Sequence, residues 1–235
     1  MQLERLLQTQ GFGTRRECRA LVRVGAVAVS GAACDDPFAE FDPSGLEFTL
    51  DGTAWRYREK AYLLLHKPAG IECSRSPRHH PSVLSLLPAP LARRGVQPVG
   101  RLDEDTTGLL LLSDDGAFIH ALTSPRRKVA KVYEATLKHP VEDGLISVLS
   151  AGVVLHDDPT PVAARMCERL SERVLWLAID EGRYHQVKRM VAAAGNRVET
   201  LRRIRIGGLD LPADLPEGGW CWLEPADLHQ LAIAD

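Results

Sequence analysis

The chain has 235 residues, of which 45% are hydrophobic and 26% charged, with 19 Gly and 15 Pro. This composition excludes a disordered chain and the collagen-like and low-complexity classes, and the length suits a small domain plus a medium one. With no apolar run near the roughly 18 residues of a membrane span and no signal-like leader, we expect a cytoplasmic protein without a membrane segment.

The cysteine spacing and the charge distribution indicate which kinds of site and partner to expect. The five cysteines are widely spaced, without a CxxC pair or a Cys/His cluster, so neither a disulfide framework nor a zinc site is predicted. The formal net charge is −2. Basic residues nevertheless concentrate in residues 1–30, 120–133 and 181–205, whereas 31–58 is acidic. This pattern indicates a localised anionic partner.

A short helix opens the first predicted module. Thr14 and Glu17 have the spacing of a capping box, so a helix should begin at Thr14, and Gly25 should end it. Cys18, Leu21 and Val22 fall on one side of this helix. The other side carries four arginines, which suit bidentate phosphate contacts: Arg15, Arg16, Arg19 and Arg23. A solvated helix face would have the same composition.

The segments around this helix resemble the S4 RNA-binding domain. They are Leu3-x-Arg5-Leu6-Leu7, the Gly13-Thr14-Arg15 turn, and Gly25-x-Val27-x-Val29-x-Gly31, in which 27–29 is a predicted strand. The resemblance implies that the four arginines bind RNA. Residues 51–60 predict a connector or edge strand. We therefore place an S4-like α/β module at 1–58 and a second domain at 59–235.

The second domain reads as an α+β fold with a mixed or antiparallel sheet and flanking helices. A strand over 61–65 should end in a turn at 66–70, and 76–90 should form a loop and a short helix. Further strands are predicted at 109–112, 131–137 and 174–179. Val187, Met190, Val191 and Ala194 have helical spacing, which predicts an amphipathic helix from Glu181 to Gly195 with His185, Lys188 and Arg189 on its basic side.

The segment 100–114 places an arginine and several acids in a glycine-bounded loop directly before an apolar strand. A loop fixed on a rigid strand suits an active site. A polar turn would have the same composition. Asp103 and Asp105, together with Asp114 and Asp115, could also bind Mg²⁺, although no glycine-rich phosphate loop accompanies them.

This segment, Gly100-Arg101-Leu102-Asp103 onward, resembles the signature of the ribosomal RNA pseudouridine synthase family. The resemblance extends over residues 60–225 through Lys67-Pro68-x-Gly70, Lys131-x-Tyr133, residues 181–190 and Arg205-Ile206-Gly207-Gly208. It implies isomerisation of uridine to pseudouridine, a reaction that needs no cofactor. Arg183-Tyr184-His185 favours the small-subunit branch, whose members carry an S4 domain, over relatives acting on large-subunit rRNA.

The resemblance also assigns roles to individual residues. Asp103 corresponds to the essential aspartate, as nucleophile or as base for a sugar proton, and Lys188 to its cationic partner. Tyr133 would stack on the extruded uracil, Arg101 would keep the nucleotide extruded, and Leu201 would line the pocket. Among the basic stretches, substrate contacts are expected from Arg183 and Arg189, and phosphate contacts from Arg126, Arg127 and Lys128.

The expected partner is ribosomal RNA, free or within a ribosomal assembly intermediate, bound by a monomer. Two other interpretations remain at this point. A noncatalytic S4-type RNA-binding or assembly factor would not depend on Asp103. A metal-dependent phosphoryl-transfer enzyme would use the acidic loop as its metal site.

Overall fold

The computed structural model describes residues 1–124, 126–156 and 158–231, so the last four residues of the predicted 59–235 domain lie outside it. Two compact units are present. Unit 1 comprises Met1–Ala61, Leu84–Gln97 and Ser113–Asp115, and unit 2 comprises Tyr62–Val83, Pro98–Leu112 and Gly116–Asp235. No helix within the described ranges is long and apolar enough to cross a membrane.

Unit 1 begins with two helices and a small antiparallel sheet. The helices are α1 (Leu3–Thr9) and α2 (Arg15–Arg23), and the strands are β1 (Val27–Val29), β2 (Ala32–Ala33), β3 (Glu47–Leu50) and β4 (Thr53–Arg56), in the sheet order β2-β1-β3-β4. The predicted capping box is confirmed, because the Thr14 side chain accepts from the Glu17 amide and the Glu17 carboxylate accepts from the Thr14 amide. The predicted strand at 27–29 and the edge strand within 51–60 are confirmed as β1 and β4.

The core of unit 1 lies between the two helices and the sheet. It contains the apolar face of α1, the predicted buried face of α2 with Cys18 and Val22, and Phe48 of β3. Phe12 packs edge-on against Phe48 and Trp55, with ring centroids 5.6 and 5.0 Å apart. This burial leaves the arginine side of α2 at the surface, with Arg15, Arg16 and Arg23 exposed.

A mixed sheet of nine strands organises unit 2. Seven strands follow the order β11-β12-β8-β13-β7-β5-β15, and β14 and β6 pair with β13 and β7. Their bounds are β5 (Tyr62–Lys67), β6 (Gln97–Pro98), β7 (Thr107–Ser113), β8 (Lys131–Leu137), β11 (Met166–Arg169), β12 (Val174–Ile179), β13 (Val198–Ile206), β14 (Leu209–Asp210) and β15 (Trp220–Trp222). The parallel pair β13–β7 among antiparallel neighbours confirms the predicted α+β class with a mixed sheet.

Helices and short strands complete the two units. The chain also forms a 3₁₀ turn (Val83–Leu86), α3 (Ala89–Arg93), α4 (Gly116–Thr123), α5 (Asp143–Ala151), the hairpin β9 (Val153–Leu155) and β10 (Asp158–Val162), α6 (Gln186–Ala193) and α7 (Pro225–Gln230). The predicted loop with a short helix over 76–90 is thereby confirmed. A core of unit 2 joins β5 and β7 to α4, through Leu64, Leu109, Leu111, Phe118 and Leu122.

Two predicted boundaries in unit 2 are wrong. The turn expected at 66–70 begins later, because β5 continues through Lys67. The helix expected from Glu181 begins at Gln186, because His185 adopts a left-handed conformation (φ 49°) that the first turn of a helix cannot include. Residues 181–185 therefore form a loop ahead of α6.

Candidate active site

A cavity of about 640 Å³ opens in unit 2 beside the loop 100–106. We call it the active-site cavity. It brings together side chains from the loop, from β8, from β13, from the loop 181–185 and from α6: Arg101, Asp103, Tyr133, Arg183, Lys188 and Arg203. The sequence-predicted residues of the catalytic motif thus lie around one space, although their roles stay predictions.

Lys67 fixes the loop that carries Asp103. The Lys67 side chain is completely buried, and its Nζ donates to the carbonyl oxygens of Pro68, Glu104 and Thr106, each at 3.0 Å. Burial lowers the pKa of this amine. Because two of the three acceptors, Glu104 and Thr106, are the neighbours of Asp105 in the loop, the ammonium ties the loop to the end of β5.

The Asp103 carboxylate is contacted through both of its oxygens. Lys188 Nζ lies 3.3 Å from Oδ2, and His185 Nε2 lies 3.4 Å from Oδ1. The Asp103 side chain is 26% exposed, so it is reachable from the cavity yet partly withdrawn from water. These two contacts fix the orientation of the carboxylate at the cavity wall.

Lys188 also binds a second carboxylate. Its Nζ donates to Asp105 Oδ1 at 2.6 Å, a shorter contact than the one with Asp103. Burial by itself lowers the pKa of Lys188, but the hydrogen bond to Asp105 and the charges of both aspartates raise it more, so its net pKa is raised. Lys188 therefore holds a full positive charge between the two acids at neutral pH.

Tyr133 is almost fully buried on β8 and lines the cavity. Arg203 lies opposite it on β13, with Nη1 donating to the Tyr133 hydroxyl at 3.5 Å and Nε donating to the Leu109 carbonyl at 2.8 Å. Arg203 thus bridges the tyrosine and the strand that follows the catalytic loop. Leu201, also on β13, lines a smaller cavity with Asp103 and Tyr133.

The remaining predicted contact residues are distributed around the site. Arg101 is exposed and lines the active-site cavity, as does Arg183, whose Nε lies 3.3 Å from Glu181. Arg189 is not among the described residues that line the active-site cavity. Its Nη1 donates to the Tyr184 carbonyl at 3.2 Å. Arg126, Arg127 and Lys128 are exposed in the turn after α4, next to Thr123 and Ser124 of the cavity wall.

Arg19, one of the four predicted RNA-binding arginines in unit 1, is engaged in an ion pair. Its guanidinium contacts both oxygens of Glu4, at 2.6 and 3.2 Å, and Glu4 is 4% exposed. The ion pair satisfies a carboxylate that would otherwise be buried without a partner. Arg15, Arg16 and Arg23 remain as the exposed members of this set.

Three of the four acids predicted as possible Mg²⁺ ligands are paired with cations. Asp103 and Asp105 share Lys188, and Asp114 accepts from Arg94 Nε at 2.7 Å. Among residues 1–124, 126–156 and 158–231, no three His, Cys, Asp or Glu side chains are arranged to hold a metal ion.

The sequence predicts no catalytic or RNA-binding role for Asp105, His185 or Arg203. His185 and Lys188 are three positions apart on the predicted basic side, which was an available signal. Asp105 was considered only as a metal ligand. Arg203 stood in a run of arginines, and its pairing with Tyr133 follows from the register of β13 against β8, which the sequence alone does not give.

Comparison with known proteins gives a consistent result. The model of the RNA pseudouridylate synthase family matches residues 61–193. An uncharacterised RNA pseudouridine synthase of Bacillus subtilis is 37% identical over 98% of both chains. The ribosomal small subunit pseudouridine synthase A of Escherichia coli is 46% identical over 67% of this chain and 68% of its own length, and the Haemophilus influenzae protein of that name is 34% identical over 98% and 99%.

A solved structure supports the same grouping. A crystal structure of a pseudouridylate synthase superposes with a TM-score of 0.71 at 33% identity, covering 99% of this chain and 100% of that one. The family match, the full-length relatives and the shared fold agree with the geometry around Asp103. The chain belongs to the RNA pseudouridylate synthase family and is an isomerase that converts uridine to pseudouridine.

Proposed function

We propose that this enzyme isomerises a specific uridine of small-subunit ribosomal RNA, with Asp103 as the nucleophile. The contacts of Asp103 with Lys188 and His185 inside the active-site cavity are the observation that carries the catalytic part of the proposal. The similarity to the Escherichia coli and Haemophilus influenzae enzymes named for the small subunit supports the choice of RNA.

The reaction requires a group that can hold the sugar while the base turns. In the proposed sequence, an Asp103 oxygen bonds to C1′ as the N1–C1′ bond breaks, and uracil leaves with the electron pair. The base rotates, C5 bonds to C1′, and the Asp103 oxygen is released. The C5 proton is then removed and N1 ends protonated, so atoms and charge balance.

The surrounding residues support each stage of this sequence. Lys188 and His185 hold the Asp103 carboxylate in place before attack. Tyr133 offers an aromatic face that retains the detached base and a hydroxyl that relays the C5 proton, giving up its own proton as it accepts that one. Arg101, at the exposed rim, contacts the extruded nucleotide. The basic residues Arg126, Arg127, Lys128, Arg183 and Arg189 contact phosphates.

Unit 1 is proposed to bind RNA through the exposed arginines of α2. The helix presents Arg15, Arg16 and Arg23 to solvent, while Arg19 stabilises the fold through Glu4. This arrangement supports an S4-like role in which phosphate contacts position the enzyme and the RNA shape supplies specificity.

The first test maps pseudouridines in ribosomal RNA by carbodiimide labelling and reverse-transcription stops. Four strains are compared: wild type, a deletion, and the deletion carrying Asp103→Asn or Asp143→Asn. We expect one small-subunit stop to disappear in the deletion and with Asp103→Asn, because removing a nucleophile reduces such rates by about a thousandfold or more. Asp143→Asn changes an exposed aspartate of α5 that does not line the active-site cavity, and it should restore the stop.

Each other result contradicts a separate part of the proposal. Loss of a large-subunit stop would show that the wrong ribosomal RNA was chosen. A stop restored by Asp103→Asn would show that the aspartate is not the nucleophile. An unchanged map in the deletion strain would contradict ribosomal RNA as the substrate.

A further inference from the structure

Tyr184 stands out among the residues of the active-site cavity because it is a large aromatic side chain left open to solvent. The residue is 71% exposed and lies on the cavity wall between Arg183 and His185. Neither its hydroxyl nor its ring belongs to the Asp103–Lys188–Tyr133 chemistry described above. Its position at the mouth of the site therefore calls for a separate explanation.

The Tyr184 ring is fixed in orientation. It stacks on the His185 ring with centroids 3.8 Å apart and an interplanar angle of 19°. His185 is itself held by its contact with Asp103 and by a left-handed backbone (φ 49°, ψ 34°). Such a conformation is unfavourable for a non-glycine residue and persists where the surrounding structure enforces it. With one face on His185, the ring offers its other face to the solvent.

The electrostatic surroundings of this open face suit a nucleic acid strand. Arg189 donates to the Tyr184 carbonyl, and Arg183 precedes Tyr184 on the cavity wall. An aromatic platform next to guanidinium groups is the combination with which proteins bind unpaired nucleotides, through base stacking and phosphate contacts.

The proposed reaction creates a need for such a platform. To reach Asp103, the uridine must leave the base stack, and a nucleotide next to it then loses a stacking partner. We propose that the open face of Tyr184 is a stacking subsite for the unpaired base adjacent to the target uridine. The proposal rests on the proposed function only in taking the substrate to be RNA.

Synthetic single-stranded RNA heptamers with one central uridine provide the probe, and 2-aminopurine replaces the base on its 5′ or 3′ side. On binding to the wild-type protein, fluorescence at one of the two positions should be quenched by stacking. Tyr184→Phe keeps the aromatic face and should retain the quenching. Tyr184→Ala should lose it and weaken binding about tenfold, in line with the contribution of base–aromatic stacking.

An abasic nucleotide at the quenched position separates stacking from a general loss of structure. It should weaken binding to the wild type about tenfold and to Tyr184→Ala hardly at all, because the platform is already absent. Val154→Ala, which alters an exposed apolar residue of β9, serves as the matched control and should behave as the wild type.

The subsite is refuted if neither position is quenched in the wild type, or if the abasic nucleotide costs the wild type and Tyr184→Ala the same factor. This readout is a binding measurement on short RNA. It is therefore distinct from the ribosomal map, and an unchanged map with intact quenching would contradict the ribosomal target while leaving the subsite supported.

Discussion

Two lysines on the walls of the active-site cavity have pKa values shifted in opposite directions. Lys188 lies between two carboxylates, and their hydrogen bond and charges overcome its burial to raise its pKa. Lys131, on β8, is partly buried and lies near the Arg203 guanidinium; desolvation and this positive charge together lower its pKa from 10.5 to about 8. Its Nζ donates to the Val129 carbonyl at 3.0 Å. Two lysines of one cavity thus differ in how readily they lose their proton: Lys188 keeps its charge to higher pH than Lys131.

The lowered pKa of Lys131 predicts a pH-dependent stability. Below about pH 8 the amine is charged in both the folded and the unfolded state, and the fold bears the cost of burying the charge. Between about pH 8 and 10.5 the folded protein binds fewer protons at this residue than the unfolded chain, so its contribution to stability rises with pH. Lys131→Met removes this titration.

Urea denaturation at pH 7 and pH 9.5 measures the effect. The free energy of unfolding of the wild type should improve relative to that of Lys131→Met as the pH rises, with all other groups common to both proteins. Lys138→Met, an exposed lysine just after β8, serves as the control and should show no such change. A constant difference between the wild type and Lys131→Met at both pH values would contradict the assignment.

For individual residues, the sequence predicted the pair Asp103 and Lys188 only through the family motif. No local sequence pattern connects two residues so far apart in the chain. Asp105 and Lys188, which form the shorter contact, are separated by 83 positions. Their meeting depends on how the loop is tied to β5 through Lys67, a buried long-range interaction without a local pattern.

Among the elements of unit 2, β7 and β13 approach each other closely through their backbones. Gly108 has a φ of +103°, and a Cβ atom there would lie 2.2 Å from the Arg203 carbonyl oxygen and 2.7 Å from the Arg203 nitrogen. Both atoms are backbone atoms of the strand that carries Arg203 and Leu201. Gly108 therefore allows β7 and β13 to pair directly behind the catalytic loop.

Gly108→Ala should accordingly destabilise the protein by about 3 kcal/mol or more, since it combines a strained backbone with a clash that a strand must shift to relieve. Gly144→Ala, in α5, is the control: no atom lies within 4 Å of its added Cβ, and alanine favours a helix by about 1 kcal/mol. Thermal unfolding of both variants checks the prediction. Equal melting temperatures would show that β13 adapts without cost.

Element type was more predictable than element length. The strands at 131–137 and 174–179 agree with β8 and β12 because their apolar patterns run to their ends. The start of α6 did not agree, because the apolar spacing of Val187 and Met190 describes the buried face and carries no information about His185. A left-handed residue that stacks on Tyr184 is a tertiary feature, and helical periodicity does not report it.

For the molecule as a whole, unit 1 is assembled from three separate segments of chain. Arg94 holds them together: its side chain is 3% exposed and contacts Asp114 at 2.7 Å, Gln10 Oε1 at 3.1 Å, and the carbonyls of Arg58 and Glu59 at 3.0 and 3.1 Å. A boundary placed near residue 58 on composition could not include residues 84–97 or 113–115, because they join the unit through long-range contacts such as those of the buried Arg94 guanidinium.

Arg94→Met should destabilise unit 1 by about 3 to 5 kcal/mol, because it leaves the Asp114 carboxylate without its cation. The neighbouring Arg93→Met is the matched control, since Arg93 is exposed and should change stability by less than about 0.5 kcal/mol. Urea denaturation followed by circular dichroism compares the two variants. Similar effects of both substitutions would show that the buried network is dispensable.

The RNA binding proposed for unit 1 predicts a specific dependence on salt. Arg16→Gln or Arg23→Gln should reduce the slope of log affinity against log salt by about 0.7 to 0.9, the value of one phosphate contact. Arg56→Gln removes an exposed positive charge from β4 of the same unit and should leave the slope unchanged. Binding of small-subunit ribosomal RNA measured at several salt concentrations gives the slopes, and three equal slopes would contradict an arginine-specific RNA face.

Lys67 can report on movement of the catalytic loop. Its amine is completely enclosed, with all three of its hydrogen bonds made to carbonyl oxygens. An amine-reactive reagent can therefore label Lys67 only during moments when the catalytic loop detaches from β5. The labelling rate of Lys67, measured by peptide mass spectrometry, would report how often the loop opens. A bound RNA that holds the loop closed should lower this labelling rate.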